Sequence, residues 1–291
     1  MATAQDGFVT VGGVRLHYRD WGGDGPAVLL LHGLMADAGV WDAVAARLAD
    51  RFRPIALDQR GHGLSDRPAS GYAPRDYAAD AAGLVRALGL RRVHVVGHSM
   101  GGRTAMALAA LYPRLVGRLV IVDIGPEAWV QNYQETVRAV TRTPASFPDE
   151  EALRRWLPER AQHRAPELAA GMDRGPDGAL RWRWDRAAVL ETVRIGRTRG
   201  WWHYLRDTRA PALVVRGEQS RELRPDVARR MAAVLDGRGA ARRGNGRARL
   251  AVIHGCGHDV PRQAPAALAA LLSLFLGPAR AGRRAAPAGA P

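Results

Sequence analysis

The sequence predicts an α/β protein: a mainly parallel, eight-stranded sheet flanked by helices, with a helical cap inserted into it. Three observations carry this. Short apolar runs alternate with segments of helical periodicity, except between roughly residues 127 and 208. Several of those runs are apolar at every position, the pattern of a strand covered on both faces. A polar cluster follows most of them, and parallel sheets hold ligands beyond the carboxyl ends of their strands.

Taken in order, Phe8 to Trp21 alternates apolar and polar residues around Gly12-Gly13, as an edge β-hairpin does. Ala27 to Leu31 is a buried strand running into His32-Gly33-Leu34-Met35, and Trp41 to Ala49 is helical. Arg53 to Leu57 is the next strand and leads to Asp58-Gln59-Arg60-Gly61-His62-Gly63-Leu64-Ser65. A helix over Arg75 to Leu88 delivers the chain to the strand Val93 to Val96, followed by Gly97-His98-Ser99-Met100-Gly101-Gly102. Thr104 to Leu111 is helical, and Arg118 to Val122 is a strand ending in Asp123-Ile124-Gly125-Pro126. The strands Ala212 to Val215 and Leu250 to Ile253 complete the sheet, the last opening into His254-Gly255-Cys256-Gly257-His258.

The core is therefore expected over 1–126 and 209–276. Residues 127–208 contain no convincing strand and are rich in arginine and tryptophan. They are read as a cap over the ligand edge, with Trp129, Trp184 and Trp202 as candidate substrate-binding residues. Asp236 to Arg249 reads as a surface connector, and 277–291 as a disordered basic tail.

Composition narrows the function classes. The chain has 291 residues, a formal charge of +15 and no lysine, so its 43 basic residues are all arginine. The arginines are spread over the whole chain, not gathered into a block or stripe, which argues against a specific nucleic-acid partner. A single cysteine, Cys256, permits no internal disulfide. With no secretory pattern at the start and no apolar run long enough for a membrane span, a cytoplasmic location is expected. No zinc spacing, P-loop or dinucleotide fingerprint is present, so neither metal nor cofactor is expected.

The chemistry gathers around Ser99. Glycines two before and two after it let a strand turn sharply into a helix, leaving its hydroxyl exposed beside a helix N-terminus. Serine needs a base, and His258, in a loop of small residues after the last strand, is the best placed of the nine histidines. The base in turn needs a carboxylate. Asp123 is preferred, because its strand should lie beside the nucleophile strand; Glu218 and Glu222 are the alternatives. Backbone N–H groups of Leu34 and Met100 are the candidate oxyanion donors. Asp58 and Arg60 are assigned to loop structure, and Cys256 to packing.

As an ordered set, His32-Gly33-Leu34-Met35, Asp58 to Ser65, Gly97 to Gly102 and Gly257-His258 resemble the α/β-hydrolase superfamily from Phe8 to Leu276. Val122-Asp123-Ile124-Gly125-Pro126, Ser220 and Trp182-Arg183-Trp184-Asp185 resemble more narrowly the small esterases whose acid follows the strand after the elbow helix. The resemblance implies Ser99, Asp123 and His258 as a triad and a small-molecule ester or related acyl substrate. It leaves lactonase, thioesterase and carbon–carbon hydrolase chemistry open, along with a homodimer. Serine at the elbow argues against the branches that use an aspartate nucleophile. A non-catalytic ligand-binding protein on the same fold is the reading of another class.

Overall fold

A computed structural model describes residues 3–127, 133–198, 200–237 and 248–277. Trp129, most of the Asp236 to Arg249 connector and all of the tail after Gly277 lie outside them.

Eight strands form one sheet: β1 (Gln5–Val11), β2 (Val14–Asp20), β3 (Ala27–Leu31), β4 (Arg53–Leu57), β5 (Val93–His98), β6 (Val116–Val122), β7 (Ala212–Gly217) and β8 (Ala248–Ile253). Their spatial order is β1-β2-β4-β3-β5-β6-β7-β8, parallel from β4 onward, with β2 antiparallel to both β1 and β4.

The continuous apolar runs conceal an alternation that the two helical layers read. Leu29 and Leu31 of β3, Val95 of β5 and Ile121 of β6 join one core; Val28, Leu30, Val96, Val120 and Val122 join the other. Helices α1 (Asp42–Leu48), α2 (Pro74–Ala87) and α3 (Met100–Leu111) connect the early strands. Both faces are thus covered, and each fully buried leucine contributes about 2 kcal/mol over an exposed one. Among the described residues no helix is long and apolar enough to cross a membrane.

Between β6 and β7 come α4 (Tyr133–Arg142), α5 (Glu150–Trp156), α6 (Ala165–Ala170), α7 (Arg186–Thr198) and α8 (Trp202–Asp207). This segment also holds a small antiparallel sheet of Ser146–Phe147, Leu180–Arg181 and Asp173–Arg174. The sequence reading has no strand here, because two-residue strands are too short to show a period. The segment touches the core at a bridge between His62 and Trp184, through the Asp185 amide on the Gly61 carbonyl at 2.9 Å, and through Tyr77 Oη and Thr192 Oγ1 at 2.6 Å.

The turn from β5 into α3 is so tight that a β-carbon on Gly97 would lie 2.1 Å from the Gly101 carbonyl oxygen. The carbonyl is backbone and a β-carbon's place is fixed by the backbone, so neither can rotate away. Gly97→Ala is expected to destabilise the fold by about 3 kcal/mol, read as a lowered urea midpoint; an unchanged midpoint would contradict this packing.

Candidate active site

Ser99 sits at the end of β5 with φ 52° and ψ −119°, a left-handed conformation that costs a non-glycine residue of order 1–3 kcal/mol. The cost is met by the surroundings: its amide donates to the Val122 carbonyl at 3.0 Å, and its carbonyl accepts from Gly102 at 2.8 Å. Asp123, at the end of the adjacent β6, is also left-handed, with φ 54°. Its amide donates to the Val215 carbonyl of β7 at 2.8 Å. Neighbouring strands of one parallel sheet thus end side by side, one in a hydroxyl and one in a carboxylate.

His258 spans the two. Its Nδ1 lies 2.8 Å from Asp123 Oδ2 and its Nε2 lies 3.0 Å from Ser99 Oγ. With Asp123 ionised, Nδ1–H donates to the carboxylate, and Nε2 is left as acceptor for the serine proton. Burial works against the imidazolium, but the hydrogen bond and charge of Asp123, with weaker help from Glu222 and Asp259, outweigh it and raise the His258 pKa. The His258 loop reaches this position over Gly217, where a β-carbon would lie 2.0 Å from the Gly257 carbonyl oxygen.

Asp123 is fully buried, and three donors hold it. Besides His258, the Gly217 amide donates to Oδ1 at 2.9 Å, and the Ser220 hydroxyl donates to Oδ2. The other carboxylate candidates lie differently. Exposed Glu218 bonds His254 Nδ1 at 2.8 Å and the Gly255 amide at 3.0 Å. Glu222 is exposed and reaches His258 through its charge.

His98, the residue before the serine, packs its ring against that of His258, the centroids 4.9 Å apart. Its Nε2–H donates to the His258 carbonyl at 2.8 Å. Burial and the neighbouring His258 push its pKa down to about 4, so it is neutral and supports the His258 loop. His32 is fully buried in a backbone role, its Nδ1–H donating to the Gly33 carbonyl and its Nε2 accepting from the Gln59 amide. Asp58 ties His17 to the amides of Ala38 and Leu64. Arg60 forks onto Asp80, and the buried Cys256 thiol donates to the Ile253 carbonyl at 3.4 Å while packing in one of the two cores.

Gly33 packs against Ser99, its β-carbon position lying 3.2 Å from Ser99 Cβ. That contact brings the following residue, Leu34, to the site beside Met100. Among the described residues neither Leu34 nor Met100 donates its amide to a protein acceptor. Both side chains join a small apolar cluster with Tyr72, Tyr77, Ala188 and Ile195.

The three tryptophans named from the sequence have separate fates. Trp184 stacks on Trp182 with ring centroids 5.9 Å apart, and lines a cavity of about 330 Å³. The cavity runs between Met35 to Val40 and Arg262 of the core and Glu167, Leu168 and Trp182 of the inserted segment. Trp202 packs on the main core beneath the Arg230 guanidinium, 4.2 Å from its ring. Its neighbour Trp201 is buried and borders, with Met100 and Tyr77, a cavity of about 10 Å³. Trp129 lies outside the described residues. The sequence reading missed the Ser220 bond to Asp123, although the lack of an acid at Ser220 was visible.

With this geometry described, three comparisons bear on the chain. A family model described as alpha/beta hydrolase fold matches residues 26–261. The 2-(acetamidomethylene)succinate hydrolase of Mesorhizobium japonicum is 36% identical over 243 residues, which is 77% of this chain and 87% of that protein. An esterase of Mycobacterium tuberculosis is 33% identical over 211 residues, 69% of this chain and 68% of its own. Among solved structures, an E-2-(acetamidomethylene)succinate hydrolase superposes with a TM-score of 0.79 at 31% identity, covering 94% of this chain and 99% of that one. The extent of these matches, over both halves of the sheet and the strand ends between them, makes this chain a member of the α/β-hydrolase family.

Proposed function

We propose that the protein is a serine hydrolase that cleaves carboxylic esters through an acyl-enzyme. The observation that carries this is the hydrogen-bonded relay from Ser99 Oγ through His258 to Asp123. Ser99 Oγ attacks the carbonyl carbon while His258 Nε2 takes its proton. The tetrahedral oxyanion is met by the Leu34 and Met100 amides, one of them at the start of α3, where the helix dipole favours negative charge. Collapse expels the alcohol, protonated by His258. A water, deprotonated by the same nitrogen, then attacks the acyl-enzyme and releases the acid. Asp123 keeps Nδ1 protonated and offsets the positive charge that forms on the ring. No step requires a metal or cofactor. Residues 127–208 act as the cap, and Trp184 lines the cavity between cap and core, whose walls include neither Ser99 nor His258.

A second reading is an N-acyl amide of a carboxylated substrate. It is favoured by a relative matched over 77% of this chain, whose name gives it an acetamidomethylene succinate substrate. The two share every step up to the leaving group, so substrate choice separates them. A panel of p-nitrophenyl acetate and butyrate, a γ-lactone, a thioester and an N-acetyl enamide should show the p-nitrophenyl esters turned over fastest. Amide cleavage with the esters untouched would replace the ester reading by the amide one. If Ser99 does not react with a fluorophosphonate either, the chain is a binding protein.

A further inference from the structure

Arg103 lies one turn beyond Ser99 on α3 and is 5% exposed. A guanidinium in such a place needs acceptors, and it has main-chain ones. Nε donates to the Gly125 carbonyl at 3.3 Å and a terminal nitrogen donates to the Glu127 carbonyl at 2.6 Å. Both carbonyls belong to the loop that starts at Asp123. That loop is under strain at its first residue and is packed hard against α3: a β-carbon on Gly102 would lie 2.4 Å from Ile124 Cγ2. The Pro126 carbonyl between the two acceptors takes the Trp201 amide at 2.5 Å. One side chain therefore ties the nucleophile's helix to the acid's loop, at the point where the inserted segment leaves the core and near where it returns.

We propose that Arg103 is a positioning residue for Asp123, which fixes the loop Ile124–Glu127 to α3 so that the carboxylate stays on His258 Nδ1. This rests on the Ser99–His258–Asp123 reading above. A fork that bonds two carbonyls fixes the loop in direction as well as distance, which a single ammonium cannot do. Burying the cation is costly, and burial pulls its pKa down to about 9. A helix surface that served packing alone would be filled by an apolar residue at this position.

The test is a double-mutant cycle on p-nitrophenyl acetate. In the wild-type background Arg103→Met should lower kcat by about 10- to 100-fold, the cost of a small misplacement of a reacting group. KM should change little. Arg103→Lys, which keeps a donor and a charge, should restore part of the rate. In the Asp123→Asn background Arg103→Met should cost less than about 3-fold, because the carboxylate it positions is already gone. The acid limb of the kcat/KM profile should also move to lower pH in Arg103→Met, since a loosened Asp123 no longer raises His258. Equal losses in both backgrounds with an unmoved limb would overturn the proposal. Should Arg103→Met fail to fold, the same cycle run with Arg103→Lys decides it. Ser99→Ala is measured alongside: if it keeps activity the triad reading itself fails, whereas its loss with a multiplicative Arg103 effect removes this proposal alone.

Discussion

Ser99→Ala is expected to lower kcat on p-nitrophenyl acetate by about 10⁴-fold or more, with KM nearly unchanged. In the proposed mechanism the Ser99 hydroxyl forms the acyl-enzyme, and His258 Nε2 lies 3.0 Å from it. Removing it leaves the oxyanion donors and binding, which supply a residual acceleration over water. Fluorophosphonate labelling should disappear in parallel. The substitution also removes little from the fold, since the left-handed backbone at residue 99 strains alanine about as much as serine. A variant that keeps its turnover and its labelling would remove the nucleophile assignment.

The second large effect belongs to the acid. Asp123→Asn should lower kcat by about 10⁴-fold, because an amide donates to the imidazole and holds the wrong tautomer. The pH dependence gives an independent readout. In the proposed mechanism the working base is neutral His258, so activity should be lost as pH falls through its pKa. Asp123 raises that pKa, as Glu222 and Asp259 do more weakly, so the acid limb of wild-type kcat/KM should lie above the ordinary imidazole value of about 6.5. Without the carboxylate the limb of the residual activity should shift to lower pH. Glu218→Gln, whose carboxylate is occupied by His254 and Gly255, should leave both rate and limb in place. Full turnover in Asp123→Asn would move the acid elsewhere, with Glu222 the next position to examine.

Much of this architecture is legible in the chain because it is written locally. An apolar run bounded by glycines forces a strand to turn at Ser99 whatever packs around it. The small residues before His258 similarly announce a loop able to approach another strand end. The choice of Asp123 follows from topology, since consecutive strands neighbour each other roughly two-thirds of the time; β5 and β6 do so here, whereas β4 and β5 are separated by β3. Other features are set by packing that no local pattern encodes. Trp201 and Trp202 are adjacent at the start of α8, and only the tertiary arrangement decides which is buried. Arg103 stands just before the helix that the pattern marks at Thr104 and carries no signal of its own, because the carbonyls it bonds arrive from the next strand end. The two-residue strands of the inserted segment exist only because partners meet them.

Ser220 has a consequence for how the charge of this site is supplied. Its hydroxyl meets the same carboxylate oxygen that His258 Nδ1 meets, so the end of β6 and the loop after β7 converge on one oxygen. Two aspartates there would stand close together in a buried place and could not both ionise. One strand end must therefore be the anion and the other its donor, and this chain puts the anion on β6. Exchanging the two, Asp123→Ser with Ser220→Asp, is expected to move the anion to the loop after β7 with Ser99 and His258 left on their own turns. The acid is in this sense a transferable part of the fold, while the serine and the histidine are tied to their turns.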